Sequence, residues 1–335
     1  MKTQVDRVGR VEELPDEWDG LAAGIFQKRA FLRHCQEYNP CRQRYYLLAG
    51  GAGLLAGAVV YSLRLDLLTF LGVRSPVNVQ IVGLPCSVSC SSLLGPPAAH
   101  STLLTGILAA EKGLVLCLNL DFAPPAVPAA AGRTWPSVVV ENRFGSWEEY
   151  VASLRSAYRR RVLQICDDAA GYTVRRAPCS EYTADMHAQY EEVHRRSRGK
   201  LEKLSVDFFR RLPEPFRLTT FASGGAVRGW TVTLGHDRRW SFFLGGQDYT
   251  ADPERLYLVK LLDVVRTGIA AGAAEIDLGQ SAEVPKMRMG GQLREKTMLA
   301  GHGTAAARAL LGAAMPLLSY RTRFPATHPF RGAAA

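Results

Sequence analysis

At 335 residues the chain is long enough for two domains of ordinary size, each with its own core. Apolar residues at 47% and charged residues at 21% exclude a disordered or fibrous chain, and no uncharged apolar run is long enough for a membrane helix. The formal charge of +10 leaves nucleic acid, a membrane surface and an anionic small ligand open as partners.

The opening MKTQVDRVGRVEELPDEWD carries charges where a secretory leader needs an apolar run, so a cytoplasmic location is expected. Periodicity and breakers predict a strand near 4–12, helices near 15–23 and 27–38, and strands at 44–49, 54–64 and 67–83. A helix at 101–111 and a strand at 114–120 follow. The Pro/Ala-rich stretch FAPPAVPAAAGRTWP, residues 122–136, reads as a join.

Beyond the join, Ser146 and Glu149 form a capping box for a helix with Trp147, Tyr150, Val151, Leu154, Tyr158, Val162 and Ile165 on its apolar face. Arg155, Arg159, Arg160 and Arg161 then project towards solvent, either hydrated or in contact with phosphate or another anionic surface. The aromatic residue between them, Tyr158, belongs to the apolar face, so aromatics do not alternate with the charges as in a base-stacking platform. A strand at 172–176, helices at 183–197 and 205–212, and strands at 217–222, 227–234 and 239–245 come next. Asp252 and Pro253 open an almost wholly apolar helix over 253–271, and a strand at 274–278 leads into a polar loop. In that loop Lys286, Arg288 and the pair Gly290-Gly291 crowd together, cations and flexible backbone suited to an anionic or carbonyl-bearing ligand. The C-terminal TAAARALLGAAMPLLSYRTRF is an apolar helix followed by Arg321 and Arg323, suited to packing on the second domain or to a membrane surface.

Seven cysteines, scattered and without a CxxC pair, argue against a disulfide framework and a zinc site; no metal is expected. An internal repeat decides the fold class. RYYLLAGGAGLLAGAVV (44–60) and RLTTFASGGAVRGWTV (217–232) match with one residue of slippage, and the order β-α-α-β-β-β-α-β surrounds each. The expectation is an α+β protein of two related domains, residues 1–130 and 136–335, each a mixed, mostly antiparallel sheet flanked by helices.

These residues resemble the tandem-GNAT arrangement of Fem-like acyltransferases, relatives of the peptidoglycan-bridge aminoacyl transferases. FGSWEEYVASLRSAYRRRV is similar to the helix that opens the family's second half, and HRRSRGKLEKLSVDFFRRL to the segment after its first strand. IDLGQSAEVPKMRMGG resembles its final strand and Lys-x-x-x-Gly loop. The resemblance implies an N-acyltransferase that moves an acyl or aminoacyl group from an activated carrier to the amine of a small molecule or peptide. It implies acyl-CoA or aminoacyl-tRNA as co-substrate, with no bound cofactor. It also implies that 136–335 is the catalytic half and that 1–130, without a counterpart of the Lys286 loop, is non-catalytic. A non-catalytic double-GNAT protein that binds a cell-wall precursor or lipid headgroup, and a tRNA-dependent enzyme, stay open as alternatives. So do tRNA as a partner, peripheral membrane contact and the oligomeric state.

Acyl transfer passes through a tetrahedral oxyanion, which needs donors where the charge develops. By the resemblance, the end of the fourth core strand, Gly245, Gly246 and Gln247, offers backbone N–H groups to the acyl carbonyl. Lys286 is the expected ligand-binding cation or oxyanion stabiliser, with Arg288, Gln280, Gly290 and Gly291 around the ligand; a salt bridge to Asp277, Glu283 or Glu295 is its structural alternative. Asp248, Asp277 and Glu191 are candidate general bases, and Arg159, Arg160 and Arg161 candidate anion contacts. One departure stands out. Where acetyl-CoA enzymes of the family carry Gln/Arg-x-x-Gly-x-Gly/Ala, this chain has Gln247-Asp-Tyr-Thr-Ala-Asp-Pro-Glu. A carboxylate cap, a proline without N–H, and the charges of Asp248 and Glu254 receive a pyrophosphate poorly, which disfavours ordinary CoA binding.

Overall fold

Two stretches of the chain pass through the same succession of elements. In this computed structural model, which describes residues 4–332 apart from 40, 52, 87, 198 and 251, the first stretch begins with β1 (Gln4–Val8), α1 (Trp18–Leu21) and α2 (Arg29–Tyr38). It continues through β2 (Arg44–Gly50), β3 (Gly53–Asp66), β4 (Pro76–Val82), the short β5 (Leu93–Leu94), α3 (Pro97–Ala110) and β6 (Leu114–Leu120). Then come β7 (Ala129–Glu141), α4 (Trp147–Ser153) and α5 (Ser156–Ala169). The second stretch is β8 (Thr173–Ala177), α6 (Ala184–Arg196), α7 (Val206–Arg210), β9 (Phe216–Ser223), β10 (Ala226–His236), β11 (Arg239–Gln247), α8 (Pro253–Ala270) and β12 (Glu275–Gln280). The chain ends through α9 (Glu283–Arg288), β13 (Gln292–His302) and α10 (Ala305–Leu318).

The repeated sequences are the repeated hairpins. Arg44 pairs with Val60 across β2 and β3, and Thr219 with Thr231 across β9 and β10. Two compact units result. The first comprises residues 1–135, 198–208 and 295–322, with strand order β1-β2-β3-β4-β6-β13. Its neighbours are antiparallel except β4 and β6. The second comprises 136–197, 209–294 and 323–335, with order β8-β9-β10-β11-β12-β7, antiparallel except β11 and β12. The expectation from sequence is one continuous half for each domain, 1–130 and 136–335. The units instead share out the ends of the chain, because β13 pairs with β6 from Thr297/Leu120 to His302/Leu114. Met315 and Leu318 of α10 then join the core of Tyr61, Val79 and Ile81.

The second unit is filled mainly by α8. Leu256, Val259, Leu261, Leu262, Val264, Val265 and Ile269 pack with Ile276 and Leu278 of β12 and Val140 of β7. On β10, Trp230 is fully buried among Tyr182 and Phe209 and donates its indole N–H to the Met186 carbonyl. Burial of such a ring is worth about 3 kcal/mol.

Three local expectations change. The strand expected over 67–83 is confined to β4, because a 3-10 turn at Thr69–Leu71 ends on Gly72 in the left-handed region, φ 70°. The arginine-bearing helix is two helices: Leu154 and Arg155 are extended, and Leu154 bridges to Phe330. The polar loop after β12 contains α9. Among the described residues, no helix is long and apolar enough to cross a membrane.

Candidate active site

The two parallel strands of the second unit stay paired for three residues. β11 meets β12 at Arg239/Glu275, Trp240/Ile276 and Ser241/Asp277. Each strand then bends away. In β11, Val232 of β10 faces Leu244 while Thr233 faces Phe242, which leaves Phe243 as the extra residue of a bulge. In β12 the register to β7 slips between Asp277 and Gln280, and Gly279, Ser281 and Ala282 take φ values of 73°, 59° and 49°. Positive φ at successive non-glycine residues is a strained conformation that surrounding structure must hold. The strand ends 244–247 and 278–280 thus flank a split across which no ladder runs among the described residues.

A buried lysine holds carbonyls on each side of that split. Lys260 of α8 donates from Nζ to the Gly246 carbonyl at 2.9 Å. Lys286 of α9 donates to the carbonyls of Gly279 and Gln280 at 3.2 and 2.8 Å. They are 4% and 2% exposed. Burial pushes each ammonium pKa down to about 7; at Lys286 the carboxylates of Asp277 and Glu283 oppose that drop. Amines so poised exist in both protonation states near neutrality, able to stabilise a developing oxyanion or to take a proton.

The residues singled out from the sequence divide between this split and other tasks. Lys286, Gln280, Asp277, Gly245, Gly246 and Gln247 lie at the strand ends or on the helix beside them. Lys286 is a buried helical residue rather than an open loop cation, and its ammonium bonds to backbone; Glu295, one of its candidate partners, pairs with Arg133. Arg288, two residues on, is exposed, so the two cations point apart. Gly245 and Gly246 have a packing reason for lacking a side chain. A Cβ on Gly246 would collide with the Trp230 indole, and one on Gly245 would sit 2.9 Å from the Trp230 carbonyl oxygen. Gly290 combines φ 93° with the Phe330 ring, and Gly291 is pressed against Val138 and the Lys286 carbonyl. Gln247 is buried and donates to the Pro253 carbonyl, which ties the strand end to the start of α8.

The candidate bases are differently committed. Asp248 accepts from the Thr250 hydroxyl and N–H and from Arg228, and these bonds hold its pKa below the ordinary carboxylate value, the ionised form of a turn lock rather than a poised base. Asp277 accepts from the Gly279 N–H at 2.8 Å, inside the bend of β12. Glu191 lies 3.7 Å from His187 on α6. Asp252 caps α8 through the Arg255 N–H, with Pro253 at the first turn, as its sequence indicated. Arg160 and Arg161 are exposed and Arg159 half-buried on α5; among the described residues none bonds to the split.

Lys260 is hidden in sequence by the apolar pattern of α8, which by itself suggests only a packing helix. The available signal was the basic residue inside LYLVKLLDVV, since a lysine on a buried face must find an acceptor or lose its charge. Among the described residues, no group of three or more His, Cys, Asp or Glu is placed to hold a metal ion.

The family model described as acetyltransferase (GNAT) domain matches residues 152–287, a span that contains the split and both lysines. No curated protein matches the chain in sequence. In structure it is similar to a C-terminal domain assigned as lysylphosphatidylglycerol synthetase from Agrobacterium fabrum, with TM-score 0.53 and 10% identity over 88% of this chain and 92% of that one. It is similar to L-PGS from Bacillus licheniformis, with TM-score 0.50 and 12% identity over 86% and 90% of the two chains. It is also similar to FemX, with TM-score 0.51 and 8% identity over 88% and 96%. At such identities the likeness is one of fold, and it takes in most of the chain.

Proposed function

We propose that this chain, which carries a GNAT acyltransferase domain across residues 152–287, moves an acyl or aminoacyl group from an activated carrier to an amine at the split between β11 and β12. The observation that carries the reading is the pair of buried lysines at the two strand ends. The amine nitrogen attacks the acyl carbon, a C–N bond forms, and the C–S or C–O bond to the carrier breaks. The carbonyl oxygen becomes negative beside strand-end N–H groups and lysine charge shielded from water, where such charge is stabilised most strongly. A lysine in its neutral form accepts the amine's proton, and the leaving group is protonated in turn.

The start of α8 favours an aminoacyl ester over acyl-CoA as carrier. The Asp252 carboxylate takes the Arg255 N–H and Pro253 has no N–H to give, which leaves fewer first-turn donors for a pyrophosphate. Exposed Arg160 and Arg161 suit a polyanionic carrier such as tRNA.

The test supplies the protein with acyl-CoA or aminoacyl-tRNA and a pool of small amines, and follows acylated products by mass spectrometry. Lys286→Met is expected to lower product formation by roughly a hundredfold or more, the scale of losing one oxyanion donor. Circular dichroism confirms that the variant is folded. Turnover equal to the parent's would sink the assignment, and ribonuclease-resistant turnover would remove tRNA as carrier.

A further inference from the structure

Helix α10 is apolar round more of its circumference than its own unit covers. Leu311, Ala314, Met315 and Leu318 face the core with Leu65, Leu67 and Leu68. Ala306, Leu310, Ala313 and Leu317, spaced four, three and four apart, form a second stripe that is exposed along its whole length. Leu310 is 70% exposed and Leu317 53%. The 3-10 turn against which α10 packs is apolar outward as well, with Leu71 and Val73 each 51% exposed and Val77 exposed just beyond it. Five of the seven exposed large hydrophobic residues among those described therefore fall in these two touching segments. Exposed apolar side chains gathered in this way mark an interaction surface, whereas scattered ones do not.

We propose that α10 and the 69–77 segment form a peripheral docking surface for anionic lipid bilayers. The charge around the patch selects this occupant. Arg64, Arg74 and Arg321 are exposed in or beside the two segments. Residues 303–322 contain no Asp or Glu, and residues 63–77 contain one, Asp66, which accepts a hydrogen bond from the Ser75 N–H. An apolar stripe rimmed by arginines matches the boundary between acyl chains and anionic headgroups. A second copy of the chain would instead oppose arginine to arginine across a self-complementary contact.

Co-sedimentation of the full chain with phosphatidylglycerol vesicles and with phosphatidylcholine vesicles tests this. The parent is expected to partition to the anionic vesicles at least about tenfold better than to the neutral ones, and Arg74→Glu/Arg321→Glu to remove most of that preference. Leu310→Ser/Leu317→Ser, at exposed positions with little effect on folding, is expected to abolish the binding. Leu163→Ser, at an exposed leucine of α5, is the control that leaves it intact. Absence of binding to anionic vesicles, or undiminished binding by the double serine variant, overturns the proposal. So does a concentration-dependent dimer that the same variant dissociates, which would give the stripe to a second copy.

Discussion

Raising the pH from 7 to 9 should tighten the second unit, and Lys260 should account for a measurable share of the gain. Its ammonium is buried on the Gly246 carbonyl, and burial brings its pKa to about 7 from the ordinary 10.5. Because the folded value lies below the unfolded one, the unfolded chain binds more protons throughout that interval. Stability therefore rises with pH between the two values and is lost as the pH falls towards 7. For one such group, integration from pH 7 to pH 9 gives about 2 kcal/mol. Lys260→Met keeps the side-chain length but removes the titration, at a pH-independent cost of about 1–3 kcal/mol for the hydrogen bond lost. Buried thiols such as Cys41 and Cys117, pushed up to about 12 by burial, act in the opposite sense above their ordinary value. They are common to both proteins, so the difference between parent and variant isolates Lys260. Hydrogen exchange at amides of α8 and β11 is the readout, because it reports on the second unit by itself. An identical pH dependence in the two proteins would refute a depressed Lys260 pKa.

Two further substitutions probe the packing. Gly246→Ala should destabilise the second unit by about 1–3 kcal/mol, since its methyl group meets the fully buried Trp230 indole; an unchanged thermal midpoint would show that the glycine does not serve packing. In the first unit, Glu111 is buried between the Arg44 guanidinium and the Tyr46 hydroxyl, so Glu111→Ala should cost about 3–5 kcal/mol by leaving Arg44 buried without its partner. Urea unfolding measures that loss, and a midpoint within error of the parent's would contradict it.

Much of the fold was legible because it rests on neighbours in sequence. The Gly-rich turns between paired apolar runs gave both hairpins, and Ser146 and Asp252 cap α4 and α8 as their spacing suggested. The site was harder to read. Lys286 looked like an open loop cation because its surroundings are polar in sequence, yet six residues wind into α9 and turn it inward while Arg288 stays outside. The glycine pairs lack side chains for a reason distant in sequence: Trp230, Phe330 and Val138 stand where their Cβ atoms would be.

The sequence by itself determined the duplicated β-α-α-β-β-β-α-β order and the acidic, proline-bearing start of α8, because periodicity, turn chemistry and caps act over a few residues. Only the tertiary structure decided that β7 lies beside β12 and β13 beside β6, that β11 and β12 part after three pairs, and that Lys260 and Lys286 are buried at their ends. Those outcomes depend on which distant backbone groups and side chains meet, and a local pattern of apolar and polar residues does not specify such partners.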